Sequence, residues 1–287
     1  MNYRSILIYV SDAADLEQRI KLAAHLASRA RTTVIGLAIT GISRFMSRLL
    51  SLSGETIVED APASAHTPEQ KGHREKLRLD MTEALERFTM LARVNGIATI
   101  QQLQVDDDAA SALSHYGNAA DLIILGKSEL RRTARREESD FVEFVALNAA
   151  APVFVINEKP FLWRHALIAW NSSSVASRAT RNAIPILQDV DVVSAVIFGD
   201  GTAPGTHGPA LEEDIKQCLT ALAKPINIIR RPATPDVGHA LLALAGELDA
   251  DLIVMGCVAH PRWRSTLLGG TTGVVIAESQ VSLLLSR

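Results

Sequence analysis

Short apolar runs recur along the chain, separated by longer stretches whose apolar positions follow helical spacing. The first five runs cover residues 6–10, 33–39, 98–105, 121–125 and 153–156, and a second set of five covers 166–170, 190–198, 226–229, 252–255 and 282–285. They lack clean polar alternation, which is the mark of strands covered by helices on both faces. Between them, Leu77, Met81, Leu85, Phe88, Leu91 and Ala92 predict a helix that stops at Asn95-Gly96, where glycine suits a left-handed cap. Thr234-Pro235-Asp236 reads as an N-cap, a first-turn proline and an acid placed well for the helix dipole, ahead of Val237, Ala240, Leu241 and Leu244. This alternation predicts an α/β protein of two five-stranded sandwiches with parallel sheets.

The two sets are one unit written twice. Residues 121–126 read Asp-Leu-Ile-Ile-Leu-Gly and residues 251–256 read Asp-Leu-Ile-Val-Met-Gly. The same register carries the apolar segment 152–156 onto 282–286. Near the start of each unit, Ile6-Leu-Ile-Tyr-Val10 matches Ala166-Leu-Ile-Ala-Trp170 at a register longer by about 30 residues, so the first unit carries an insertion after its second strand. The expected domains are residues 1–158, with the insertion at about 41–70, and residues 162–287. Within the insertion Ile42, Phe45, Met46, Leu49 and Leu50 keep helical spacing beside Arg44 and Arg48, which predicts a short amphipathic helix over its own domain or at a subunit contact.

Composition narrows the class. With 287 residues, 47% of them hydrophobic and 21% charged, each unit is large enough to bury a core. A net charge of −3 gives no basic field for a nucleic-acid backbone. Cys218 and Cys257 stand far apart without metal-ligand spacing, so neither a disulfide framework nor a zinc site is expected. Cys257, after a buried strand, reads as a packing residue. No segment has the roughly 20 apolar residues needed to span a bilayer, and the first apolar run is too short for a signal peptide. The expectation is a soluble, cytoplasmic protein.

In an open parallel sheet, ligands lie at the carboxyl ends of the strands, so the candidate chemistry follows Trp170 and Met255. After Met255 the chain runs Gly256-Cys-Val-Ala259, nine residues from His260 to Leu268, and then Gly269-Gly-Thr-Thr272 ahead of a helical stretch. Small residues let a backbone approach phosphate, and a helix starting near 270–272 would aim free amides and its positive end at an anion. This spacing resembles the Gly-x2-Gly-x9-Gly-Ser/Thr motif of the universal stress protein family, and the opening Ile168-Ala-Trp-Asn-Ser-Ser resembles the second domain of its bacterial tandem members. The resemblance covers nearly the whole chain as two copies. It implies an adenine nucleotide alpha hydrolase-like fold with strand order 3-2-1-4-5, pairing of two such domains, and a role in stress survival with no established turnover reaction. By the same resemblance, Asn171 and the backbone near Ile197 would face adenine. Met255 and Gly256 would line the ribose, and Ala259, Gly269, Gly270, Thr271 and Thr272 would surround the phosphates of ATP or another adenine nucleotide, with Mg. The chain departs from the motif where Ala259 replaces a glycine, Gly270 replaces Ser/Thr and Pro261 enters the loop.

The first unit departs further. In the same register Glu129 takes the second glycine's place and Ser139-Asp140 the Gly-Ser/Thr pair, with Glu137 and Glu138 beside them. Carboxylates facing phosphate oxygens repel, so a degenerate first site is expected. The Arg131–136 run, followed by these acids, reads as a solvated face. No Walker A, Gly-x-Ser-x-Gly, His-Glu-x-x-His or Gly-x-Gly-x-x-Gly sequence occurs, and the chain is read as a non-enzyme. Alternatives are a nucleotide-independent scaffold or sensor using the insertion, associating with a protein partner or a second copy, and a weak ATPase using His260. Ser172-Ser173-Ser174 reads as an N-cap rather than a phosphate donor.

Overall fold

The computed structural model describes residues 2–11, 15–29, 31–40, 68–127, 135–157, 160–199, 210–257 and 270–287. The first half runs β1 (Ser5–Val10), α1 (Leu16–Ala27), β2 (Thr33–Ile39), α2 (Pro68–Val94), β3 (Thr99–Val105), α3 (Ala109–Gly117), β4 (Leu122–Gly126), α4 (Arg135–Asn148) and β5 (Val153–Ile156). The second half repeats the series with β6 (His165–Ala169), α5 (Ser174–Leu187), β7 (Val192–Phe198), α6 (Ala210–Cys218), β8 (Ile226–Arg231), α7 (Val237–Glu247), β9 (Leu252–Gly256), α8 (Thr271–Glu278) and β10 (Ser282–Ser286). All ten expected strands are present, each end within two residues of its sequence run.

The strands lie in the order β3-β2-β1-β4-β5-β10-β9-β6-β7-β8. Each half therefore has the order 3-2-1-4-5, with parallel pairs inside it. The expected two separate sheets are joined into one. The outer strands β5 and β10 pair antiparallel, with Leu284 opposite Phe154. Both strands are fully buried apolar runs, and each satisfies the other's unpaired backbone edge.

Successive side chains alternate between faces, so Ile6 and Ile8 enter one core layer and Leu7 the other. The pattern repeats with Ile168 and Leu167. Residues 40–98 connect β2 to β3, whereas residues 199–225 connect β7 to β8, which puts the extra length where the repeat registers place it. The amphipathic segment 42–50 and the rest of 41–67 lie outside the described residues, and residues 68–70 belong to α2. Helix α2 ends before Asn95 and Gly96, whose φ of 80° is the left-handed cap expected there.

The second N-cap differs from its sequence reading. Asp236 caps α7 by accepting from the amide of His239 at 3.2 Å, while Thr234 accepts from the amide of Asp236. Asp236 holds the cap position, and Pro235 thus precedes the helix instead of opening it.

Side chains also tie the halves together. The Tyr3 hydroxyl donates to the carbonyl of Asn182 at 2.5 Å, and burial pushes its pKa upward. Asp189, its side chain 6% exposed, pairs with His25 of α1 and with Arg29 just after that helix, and the His25 ring lies 4.2 Å from that of Trp163 in the connecting segment.

Candidate functional site

The carboxyl ends of β6 and β9 lie side by side, since Ile168 is in register with Val254. After β6 the chain turns through Asn171 and Ser172. The Asn171 side-chain oxygen accepts from the amide of Ser173 at 3.1 Å, and Ser172 takes a φ of 58° while its hydroxyl donates to Asp214 at 2.5 Å. Ser173 then caps α5, its hydroxyl accepting from the amide of Ala176 at 3.2 Å. The serine cluster is an N-cap, as its position before an Ala-rich helix suggests.

Gly256 ends β9 under the first turn of α5. A Cβ placed there would come within 2.6 Å of the Val175 carbonyl carbon and 2.8 Å of the Ala176 nitrogen. Only glycine permits this close approach of backbone to backbone. Asn171 is exposed and Gly256 part-exposed at this end, whereas Met255 and Ile197 are buried in the core with Ile197 in register with Arg230 of β8. Ala259, His260, Pro261 and Gly269 lie outside the described residues.

Gly270 is the N-cap of α8. Its carbonyl accepts from the amide of Val274, and among the described residues no side chain caps the helix. The early amides, from Thr271 onward, therefore have no intrahelical partner, and the positive end of the helix dipole coincides with them. Thr272 is buried and Thr271 part-exposed at this end. Helix α8 is held from the side by α7, where a Cβ on Gly238 would meet Val274 at 3.0 Å.

The equivalent place in the first half is built differently. Gly126 ends β4, and beneath it lies a buried ion pair in which Arg19, fully buried, reaches Asp15 and donates to the carbonyl of Tyr9 at 2.5 Å. The repeat register aligns Asp15 and Arg19 with Val175 and Ala179, so charge stands where the second half has small apolar groups. Helix α4 begins at Arg135, which puts residues 137–140 inside a helix. The counterparts of 139 and 140 are Gly269 and Gly270, ahead of α8. Arg-Arg-Glu-Glu, free of glycine, favours the helix. Glu129 lies outside the described residues.

Three features carried no signal strong enough to be picked out from sequence. These are the Asp15–Arg19 pair, the Ser172–Asp214 bond and the cross-unit reach of Lys127. The pair's i, i+4 spacing matches an ordinary surface contact, and only tertiary burial distinguishes it. Cys257 is fully buried, and burial pushes its thiol up to about 12, with the charge of Glu143 adding to the effect. It is a packing residue.

Each half of the sheet runs 3-2-1-4-5, with glycine at the end of its fourth strand and a helix next along the chain among the described residues. Residues 163–287, the second half, match the model of the universal stress protein family. A universal stress protein from Archaeoglobus fulgidus superposes with a TM-score of 0.72 over 99% of this chain and 96% of its own, at 14% identity. A putative universal stress protein from Pseudomonas aeruginosa gives 0.60 over 99% and 93%, at 16% identity. At these identities the two structures establish the common fold over both halves. No curated protein matches the chain in sequence.

Proposed function

We propose that the chain is a stress-response module whose second unit, residues 162–287, binds an adenine nucleotide, and whose first unit, residues 1–158, is its structural partner. The observation that carries this reading is the start of α8. Amides that no described side chain caps follow Gly270, in the chain segment that begins at Gly256, within a domain matching a family model. A phosphate is the natural occupant of such an end. Asn171 and the backbone near Ile197 would take the adenine, Met255 and Gly256 the ribose, and Ala259 and Gly269 to Thr272 the phosphates. Among the described residues no cluster of His, Cys, Asp or Glu could hold a metal ion, so Mg would enter on the nucleotide's own phosphates.

The first unit is assigned no nucleotide. Its helix runs through the aligned phosphate positions, and charged side chains fill the space beneath Gly126. The reading is of binding without turnover, because the candidate groups are amides, hydroxyls and small residues, which hold an anion but do not move a proton. Among the described residues no helix is long and apolar enough to cross a membrane, and a cytoplasmic place accords with the reading. Calorimetry of the full chain with ATP, ADP and AMP, with and without Mg, tests it. The expected result is one nucleotide per chain, weakened at least tenfold by Thr272→Glu. No heat of binding and no thermal shift with any of the three would end the reading.

A second reading, of the first unit as a sensor of a different ligand, is favoured by one cleft of about 440 Å³. Thr40, Arg78, Thr82, Gln104 and Asp106 line it where the insertion leaves β2. Arg78 is paired with Asp106 at 3.1 Å, and Leu79 and Val105 add apolar surface to the lining. Loss of a ligand-induced thermal shift on Arg78→Ala, with nucleotide binding intact, is the result this reading expects from a metabolite screen.

A further inference from the structure

The residue after the strand-ending glycine differs in chemistry between the two halves. In the second half it is Cys257, buried within the electrostatic reach of Glu143 on α4. In the first half it is Lys127, 8% exposed, and its ammonium donates to the carbonyls of Ser279 at 2.6 Å and Ala277 at 3.3 Å. Asn157, just after β5, donates to the same Ser279 carbonyl at 2.9 Å. Two donors from the first unit thus hold the carboxyl end of α8, the helix whose other end faces the candidate phosphate.

We propose that Lys127 is a positioning residue for the nucleotide site of the second unit. This rests on the reading of that site given above. Helix α8 has only eight residues, about 12 Å at 1.5 Å per residue, so it moves as a rigid rod and a displacement at Ser279 reappears at Thr271. Its last carbonyls have no partner within the helix, and a buried cation is the strongest donor available to them. The positive charge also sits at the favourable pole of the helix dipole. The amino end has no described side-chain cap, so the helix is fixed by its carboxyl end and by its packing on α7 and α4. The unit that lost its own phosphate loop therefore supplies the anchor for its neighbour's.

The test compares full-length wild type, Lys127→Met, Lys127→Arg and Asp121→Asn. Asp121 serves as the control because it accepts the amides of Arg4 and Ser5 at the opposite end of the sheet. Nucleotide affinity is measured by calorimetry with ATP, and amide exchange of residues 270–279 by mass spectrometry without nucleotide. Lys127→Met is expected to weaken affinity roughly five- to tenfold, within the about two- to thirtyfold span for residues that act without touching ligand, and to speed exchange in α8. Lys127→Arg is expected to retain wild-type values in both, and Asp121→Asn to lower Tm with affinity unchanged. If Lys127→Met does not fold, Asn157→Ala removes the second donor and should shift both readouts the same way by less. Wild-type affinity in Lys127→Met, whether or not exchange changes, overturns the positioning role and leaves the site reading standing. An equal loss in Asp121→Asn overturns it too, as a general effect of stability. Absence of ATP binding by the wild type overturns both.

Discussion

Asp121 and Asp251, at matching positions of the two halves, hold equivalent strand ends. Asp121 accepts from the amides of Arg4 and Ser5 at 2.7 and 3.0 Å, where β1 begins. Asp251 accepts from the amides of Leu162, Arg164 and His165 at 2.9 to 3.1 Å, where β6 begins. The aspartate that opens the repeated motif is thus a structural staple at the end of the sheet opposite the candidate site. Because Asp251 is buried and Asp121 exposed, removal should cost unequally. Asp251→Ala should lose about 2–3 kcal/mol and Asp121→Ala about 1 kcal/mol in urea unfolding, the range for charge-assisted bonds with and without burial.

Gly256→Ala forces a methyl against the backbone of Val175 and Ala176, which cannot rotate aside. A loss of about 1–3 kcal/mol is expected from overpacking, with nucleotide affinity falling because α5 must retreat from β9. At Gly246, in α7, an added Cβ meets nothing within 4 Å. Gly246→Ala should stabilise by about 0.5–1 kcal/mol. Paired denaturation curves would separate a close-approach role from a general preference for glycine.

His239 links the start of α7 to the end of α8, with Asp236 at 2.7 Å on one ring nitrogen and Glu278 at 3.3 Å on the other. The hydrogen bond with Asp236, then its charge, and then Glu278 raise the imidazole pKa above 6.5. Stability from the charged ring is therefore complete below 6.5 and fades as pH rises through the raised folded value. The Asp236 carboxyl is shifted the opposite way, chiefly by the amide of His239 and then by its ring. Its contribution is present above 3.8 and is lost as pH falls through the lowered value. Scans of Tm against pH should show the near-neutral decline in wild type and its absence in His239→Gln.

Thiol chemistry should separate the two cysteines. Cys218 is part-exposed, whereas Cys257 is buried with its thiol pushed up to about 12. Native protein should release about one equivalent rapidly with a disulfide reagent, and the second only in denaturant. Fast reaction of both in native protein would contradict the packing role of Cys257.

The strands were legible because each is a short apolar run bounded by polar turns, and Asp121 and Asp251 could be matched because the motif repeats almost letter for letter. The joining of β5 to β10 was not legible. Val153–Ile156 and Ser282–Ser286 read as buried strands, but nothing local says which edges meet. At the site, Gly256, Gly270 and Thr272 stood out through spacing. Lys127 did not, since a lysine after a strand looks like solvated punctuation, and its partners are carbonyls about 150 positions away. Conversely, the side chains of Met255, expected beside the ribose, and of Ile197, expected to offer its backbone, both belong to the core.

Joining β5 to β10 within one polypeptide has a consequence for inheritance as well as for packing. Two separate copies of such a unit would exchange partners, and unlike halves would pair only as often as chance and affinity allowed. Here the encounter is intramolecular and its effective concentration is set by a few connecting residues. A half whose helix begins at Arg135 is always matched to a twin whose helix begins at Thr271. Each can then diverge from the other without mixed assemblies diluting the result.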